Sequence, residues 1–227
     1  MIVIIKQILF LAILVSSSML FGAAKIAVTT KVMGNVKIET AGNSGFSALK
    51  PGTILTNGDR IKTGNDGFAA LIYIDDKSVV KIKENTELTV KGTRKTGSIA
   101  KQVDIDSGTL RAQVSKQRKG DFVIQSSTSV ASVKGTDFWF ISDPATGDML
   151  IGLEGLINLT NLLSGESSDV GAGITGTSSP DGSVGTEDTN PDNIPDDPGE
   201  GESSGIQIEI ELEGPDGELK TILIDIQ

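Results

Sequence analysis

The sequence predicts an all-β protein: a short-stranded β sandwich or short β-solenoid-like domain, followed by a disordered acidic linker and a C-terminal β-hairpin. Three observations lead there. Beyond residue 24, apolar and polar residues alternate in short runs rich in β-branched side chains, and none of these stretches keeps a helical period over the length of an ordinary helix. The runs are separated by Gly-, Asn- and Asp-rich punctuation, which supplies positive φ or side-chain-to-backbone hydrogen bonds for tight reversals. Aromatic residues make up only 4% of the chain, yet Phe138-Trp139-Phe140 places three together, bulky apolar mass suited to the centre of a β core.

Residues 1–24 read as a secretory signal. Lys6 supplies the positive charge, residues 8–15 form the apolar run, and Gly22-Ala23-Ala24 offers small residues for cleavage before Lys25. The rival is an uncleaved anchor, because Ile2 to Ile5 would lengthen the apolar stretch. Lys6 interrupts it, however, and Ser16-Ser17-Ser18 shorten it. Without Cys there is no site for a lipid anchor, and no second apolar span follows. The mature chain is therefore expected to be periplasmic or secreted, with no transmembrane segment after signal removal.

Residues 25–163 form the expected β domain. Its strand-like runs are 25–30, 34–40, 53–55, 59–63, 68–74, 78–82, 87–91, 101–105, 109–114, 121–125, 130–133, 137–141, 149–153 and 156–161. Between them lie turns such as Asn57-Gly58-Asp59, Asn65-Asp66-Gly67 and Asp75-Asp76-Lys77. Gly34, Gly108 and Gly155 each precede an alternating run, and Gly58-Asp59-Arg60-Ile61 resembles Gly120-Asp121-Phe122-Val123. This recurrence fits stacked β layers or a short solenoid; short strands also look alike by composition alone. Residues 164–205 are crowded with Gly, Ser, Pro, Asp and Glu and hold few apolar side chains, so they are expected to be a flexible linker. Residues 206–213 alternate without a break, Gly214-Pro215-Asp216-Gly217 turns, and 219–226 is a second apolar run, which predicts a hairpin. An isolated hairpin is marginal in water, so its Ile/Leu face needs a partner, either the body's sheet edge or another molecule.

Charge is unevenly spread. Residues 25–163 carry 18 basic and 14 acidic side chains, whereas 164–227 carry 1 basic and 16 acidic. The basic residues are dispersed, which argues against nucleic acid. The chain has no Cys and no His. Thiolate nucleophiles, His-based acid–base catalysis and the usual zinc and haem ligands are thereby excluded, and no enzymatic activity is expected. Asp188, Asn190, Asp192 and Asp196 resemble the start of a calcium loop, but Asn193 stands where Gly is needed and Gly199 where a bidentate Glu belongs. Asp75-Asp76 reads as turn chemistry whose carboxylates diverge, Asp104 and Asp106 as solvent-facing on one strand, and Lys91-Gly92-Thr93 lacks the rest of a phosphate loop. No catalytic, cofactor-binding or metal-ligating residue is assigned, and no cofactor is expected.

Over residues 32–161 the order of segments resembles the FecR domain. The resemblance is carried by Gly34-Asn35-Val36, Leu49-Lys50-Pro51-Gly52-Thr53-Ile54-Leu55, Asn57-Gly58-Asp59-Arg60-Ile61-Lys62-Thr63-Gly64 and residues 68–78. It continues through Glu84-Asn85-Thr86-Glu87-Leu88, Val130-Ala131-Ser132-Val133-Lys134-Gly135-Thr136-Asp137-Phe138 and Gly152-Leu153-Glu154-Gly155-Leu156-Ile157. Signature positions with a structural part are Gly58, Asp59, Thr63, Gly64, Lys134, Gly135, Thr136 and Phe138. The family's best-known members join a cytoplasmic anti-sigma segment through one span to a periplasmic FecR domain that senses an outer-membrane transporter. Only residues 1–5, followed by Lys6 and Gln7, precede the apolar run at 8–15, so the anti-sigma mechanism is not expected to carry over. The resemblance implies a non-catalytic binding module of the bacterial envelope, holding an envelope protein or cell-wall polymer through a sheet edge, a turn-rich rim or β-augmentation by the hairpin. The alternatives are a cell-wall or surface polysaccharide-binding protein and an accessory to envelope signalling. The oligomeric state stays open.

Overall fold

A computed structural model of the chain describes residues 24–117 and 120–197, together with the backbone of two strands within 206–226. The expected signal falls on residues outside the described ones, apart from Ala24, as does the hairpin turn at 214–218.

The strands form two layers. One layer, here the front, runs from edge to edge as β4 (Ile54–Thr56), β1 (Lys25–Met33), β6 (Phe68–Tyr73), β7 (Val79–Ile82), the second part of β9 (Ser98–Val114), β12 (Thr136–Asp143), β13 (Gly147–Glu154), β16 (Ile174–Ser178) and β17 (Val184–Asp188). The back layer runs β3 (Ser47–Ala48), β2 (Val36–Glu39), β5 (Asp59–Thr63), β8 (Glu87–Lys95), the first part of β9, β10 (Phe122–Gln125), β11 (Ser129–Val133), β14 (Leu156–Asn161) and β15 (Ser167–Gly171). Strand β9 belongs to both, which joins all strands of the body into one 17-stranded network. Pairing is antiparallel except between β9 and β10.

Gly108 is where β9 changes layers. Its φ is 109°, and a Cβ there would lie 2.4 Å from Thr86 Oγ1 and 2.5 Å from Thr86 Cα, so only glycine fits the corner. Ser98–Ser107 pair with β8, and residues from 108 onward pair with β12. From β10 the chain lays down hairpins alternately in back and front, advancing along one axis. The sandwich and solenoid expectations thus describe two aspects of one architecture: facing layers built by a winding chain.

Alternation fills the space between the layers. Leu88, Val90, Val103 and Ile105 from the back, and Val80, Ile82, Leu110 and Ala112 from the front, point into one core. Tyr73 of β6 meets Phe122 of β10 edge-on across that core, centroids 5.4 Å apart at 86°. Phe138 and Phe140 are fully buried there, each worth about 1.5–3 kcal/mol of transfer free energy.

Within the segment expected to be a linker, the described residues 167–188 depart from that expectation, and residues 198–205 lie outside the described ones. Strands β15, β16 and β17 extend both layers, and a short 3-10 turn follows at Pro191–Asn193. An existing sheet edge supplies backbone partners, so small polar residues suffice where a free segment would stay unfolded. Gly176 makes room for Val170 of the facing layer, because a Cβ there would sit 2.4 Å from Val170 Cγ2. Strands β18 (Ile206–Glu213) and β19 (Leu219–Ile226) pair antiparallel from Ile206↔Ile226 to Glu213↔Leu219 as a separate two-stranded sheet. Among the described residues no helix is long and apolar enough to cross a membrane.

Candidate binding cleft

The eight signature positions divide into two groups that the fold keeps apart. The first organises loops around β5. Gly58 turns with φ 93° and donates its N–H to Val90 O at 2.9 Å. Asp59 is buried, and its carboxylate accepts from the N–H groups of Ala41 at 2.9 Å and Thr56 at 2.7 Å. Thr63 Oγ1 donates to Lys83 O at 2.6 Å and accepts from Thr86 N at 2.8 Å. Gly64 donates to Asn35 O at 2.8 Å, and its carbonyl accepts from Gly67 and Asn85. Each of these satisfies backbone groups that a turn leaves unpaired, so the group is structural.

The second group connects β11 to β12. Thr136 is buried opposite Val114, Phe138 lies in the core, and Lys134 O accepts from Gln117 N at 2.7 Å. Strands β8, β9 and β10 separate β5 from β11, so the two groups do not meet. What the second group does border is an open cleft of about 770 Å³ between the β6–β7 turn, the end of β9 and the β11–β12 turn. Exposed Lys77, Lys116 and Lys134 line it, with Leu156 60% exposed alongside. Among the described residues Lys77 and Lys116 have no ion-pair partner, and Lys134 Nζ lies 3.8 Å from Asp121 in a solvent-exposed pair of little energetic weight. Of the two carboxylates in the cleft, Asp137 is already neutralised by a bidentate Arg111 pair at 2.9 and 2.8 Å, while Glu154 is exposed. The cleft therefore presents an excess of positive charge beside an exposed apolar side chain.

A buried cluster holds two of these lysines in place. The Lys101 side chain is 1% exposed, and its ammonium donates to Asp75 Oδ2 and Asp76 Oδ2 at 2.8 Å each and to Gln117 Oε1 at 3.2 Å. It also sits 5.8 Å above the Tyr73 ring. Gln117 Nε2 donates to Ser115 O at 2.7 Å and to Asp76 Oδ2. The cluster ties the turn carrying Lys77, which adopts a left-handed φ of 62°, to the segment carrying Lys116. The Asp75 and Asp76 carboxylates thus converge rather than diverge, because one buried ammonium gathers both. Burial would push the Asp76 carboxyl up, but hydrogen bonds from Lys101, the Ser78 N–H and Gln117 outweigh it and hold the group below the usual carboxylate range. Burial, with Asp75 and Asp76 adding to it, pushes the Tyr73 phenol well above its ordinary value.

Two further acidic residues that the sequence singled out are ion-paired. Asp104 pairs with Lys91, and Asp106 accepts from Arg60 at 2.8 Å, so their shared face is solvent-facing but ion-paired. Asn190 caps the 3-10 turn by accepting from Asp192 N at 3.1 Å instead of turning toward a cation. Among the described residues no group of three carboxylates gathers as a metal site. Lys101 and Lys116 lay outside the motifs the sequence singled out; the one signal pointing to Lys101 is a Lys at an inward position of an alternating strand.

Part of the chain is similar to a known family. Residues 59–155 match the family model described as FecR protein. Two crystal structures described as a candidate anti-sigma factor from Parabacteroides distasonis align with TM-scores of 0.48 and 0.47 at 11% identity. Each alignment covers 57% of this chain and 59% of that one, so the chain spans less than two thirds of the length of these solved structures. No curated protein matches.

Proposed function

We propose that this chain, whose residues 59–155 are a FecR domain, is a non-catalytic binding module of the bacterial envelope that takes a protein partner in the cleft lined by Lys77, Lys116 and Lys134. One observation carries the reading: two of these lysines have no ion-pair partner among the described residues, yet the buried Lys101 cluster fixes the backbone on which they stand. Positioned, uncompensated charge favours recognition of an acidic partner surface, and Leu156 adds apolar area beside it. A FecR domain is a periplasmic element of envelope signalling, and residues 1–24 have the pattern of an export signal, so the module acts outside the cytoplasm. The paired strands β18 and β19 offer a second contact by strand addition to a partner sheet.

The same lysines favour one rival, an anionic cell-wall polymer. Purified full-length protein is incubated with isolated peptidoglycan and, separately, with envelope extract. Substituting Lys77→Glu, Lys116→Glu and Lys134→Glu together should abolish capture of a discrete envelope protein while leaving the melting transition in place. Capture by peptidoglycan that falls steeply with salt and with these substitutions would favour the polymer instead. Unchanged protein capture by the triple variant would refute the cleft as the site. Removing 206–227 separately reports on strand addition.

A further inference from the structure

A second surface lies on the opposite side of β12 from the core. Phe138, Phe140 and Leu150 point into the core, so Trp139 and its cross-strand neighbour Ile151 point away from it, out of the front layer. Outward apolar residues of a surface layer are ordinarily exposed, yet Trp139 is 1% exposed and Ile151 0%. The register places them in one row across the layer: Lys81, Arg111, Trp139, Ile151, Thr175.

The segment after β17 is anchored at both ends of that row. Thr189 Oγ1 lies 2.9 Å from Thr175 Oγ1, and Thr189 N donates to Gly173 O at 2.9 Å. At the other end Asp197 Oδ2 lies 2.6 Å from both Lys81 Nζ and Arg111 Nη1, and Lys83 Nζ donates to Asp196 O at 3.0 Å. From β16 to β9 is three strand spacings, about 15 Å, which eight residues span with slack for the 3-10 turn, since their fully extended reach is about 27 Å. Residues 189–197 therefore cross the strands that carry Trp139 and Ile151.

The chemistry beneath the strap is that of a receptor. Lys81 and Arg111 stand directly opposite each other and Asp197 bridges the two, while Asp137 holds Arg111 through its Nε and Nη2. Both side chains are 13% exposed, and the Arg111 guanidinium also lies 5.9 Å over the Trp139 ring. A carboxylate clamp thus adjoins an apolar platform. We propose that this face is a recognition groove for an extended acidic peptide, with residues 189–197 filling it in cis as an internal ligand that such a peptide displaces. The groove adjoins the lysine cleft through the Arg111–Asp137 pair, and its test reads the Trp139 environment rather than capture in the cleft.

Trp139 is the only tryptophan in the chain, so its fluorescence reports on the groove directly. In full-length protein, Asp197→Lys sets a third cation against Lys81 and Arg111. The expected result is a red-shifted emission and acrylamide quenching raised toward that of free tryptophan, with the β-type circular dichroism retained. A synthetic peptide with the sequence of residues 189–197 should then reverse both changes saturably, and the same peptide with its last Asp replaced by Lys should not. Should Asp197→Lys fail to fold, the near-isosteric Asp197→Asn should give a smaller shift in the same direction. Unchanged Trp139 emission and quenching in a folded variant, or equal effects of the two peptides, would overturn the proposal.

Discussion

Replacing Lys101 with Met tests the cluster that supports the cleft. Methionine keeps most of the apolar stem and removes only the ammonium. The Asp75 and Asp76 side chains, 14% and 19% exposed, then lie close together without the cation that both contact. Removing one partner of a buried ion pair costs about 3–5 kcal/mol, against a typical total stability of about 5–15 kcal/mol. Guanidinium unfolding of the full chain measures the loss as a fall in midpoint at unchanged slope. Adding Asp75→Asn and Asp76→Asn to Lys101→Met should recover most of it, because the uncompensated charges are then gone. The pH dependence follows from Asp76. Its folded-state value is depressed, so its contribution is present above the unfolded carboxylate pKa of about 3.9 and disappears as pH falls through the lower folded value. In Lys101→Met burial acts without the Lys101 hydrogen bond, and mild acidification should stabilise the variant relative to neutral pH. A loss below about 1 kcal/mol would refute the reasoning, since it would place the ammonium in a solvated setting.

Asp59→Ala strands two backbone N–H groups, those of Ala41 and Thr56, and should cost about 2–4 kcal/mol by the same unfolding assay. Gly108→Ala meets both the positive φ and the Thr86 contact at the layer crossing, so a loss of at least about 1–3 kcal/mol is expected in thermal denaturation. Truncation after Leu163 removes β15, β16 and β17 and uncovers Val170's partners in the core; lower stability and new protease sensitivity in β13 and β14 are expected. Equal stability of the truncated chain would restore the linker reading of that segment.

Much of the fold was legible because a half-buried strand writes its period into the chain. The run at 137–141 is strand β12, but of the three aromatics grouped there as core mass only Phe138 and Phe140 enter the core, and Trp139 points out of the front layer. The layer to which each strand belongs was not legible, because a two-residue period is the same in either, and the double membership of β9 depends on a corner at Gly108 that looks like any other Gly in a strand. Residues 167–188 were misread for a thermodynamic reason: composition reports what a segment can bury alone, whereas β15 to β17 gain order from edges already built. Asp75 and Asp76 showed a turn, which is correct, but the Lys101 that makes them converge is some 25 residues further along the chain. The cleft was legible only in part, since Lys77, Lys134 and Leu156 fall in segments that carry the family resemblance, but their convergence, and Lys116 altogether, come from the fold.

The most direct test of the cleft as a binding site places a photo-crosslinking amino acid at position 116 in cells that make the protein, with position 37, exposed on β2 of the back layer, as control. Illumination should give one discrete adduct with an envelope protein from position 116, lost when Lys77→Glu and Lys134→Glu are added, and none from position 37. No adduct from position 116, or the same adducts from both positions, would contradict the cleft's role.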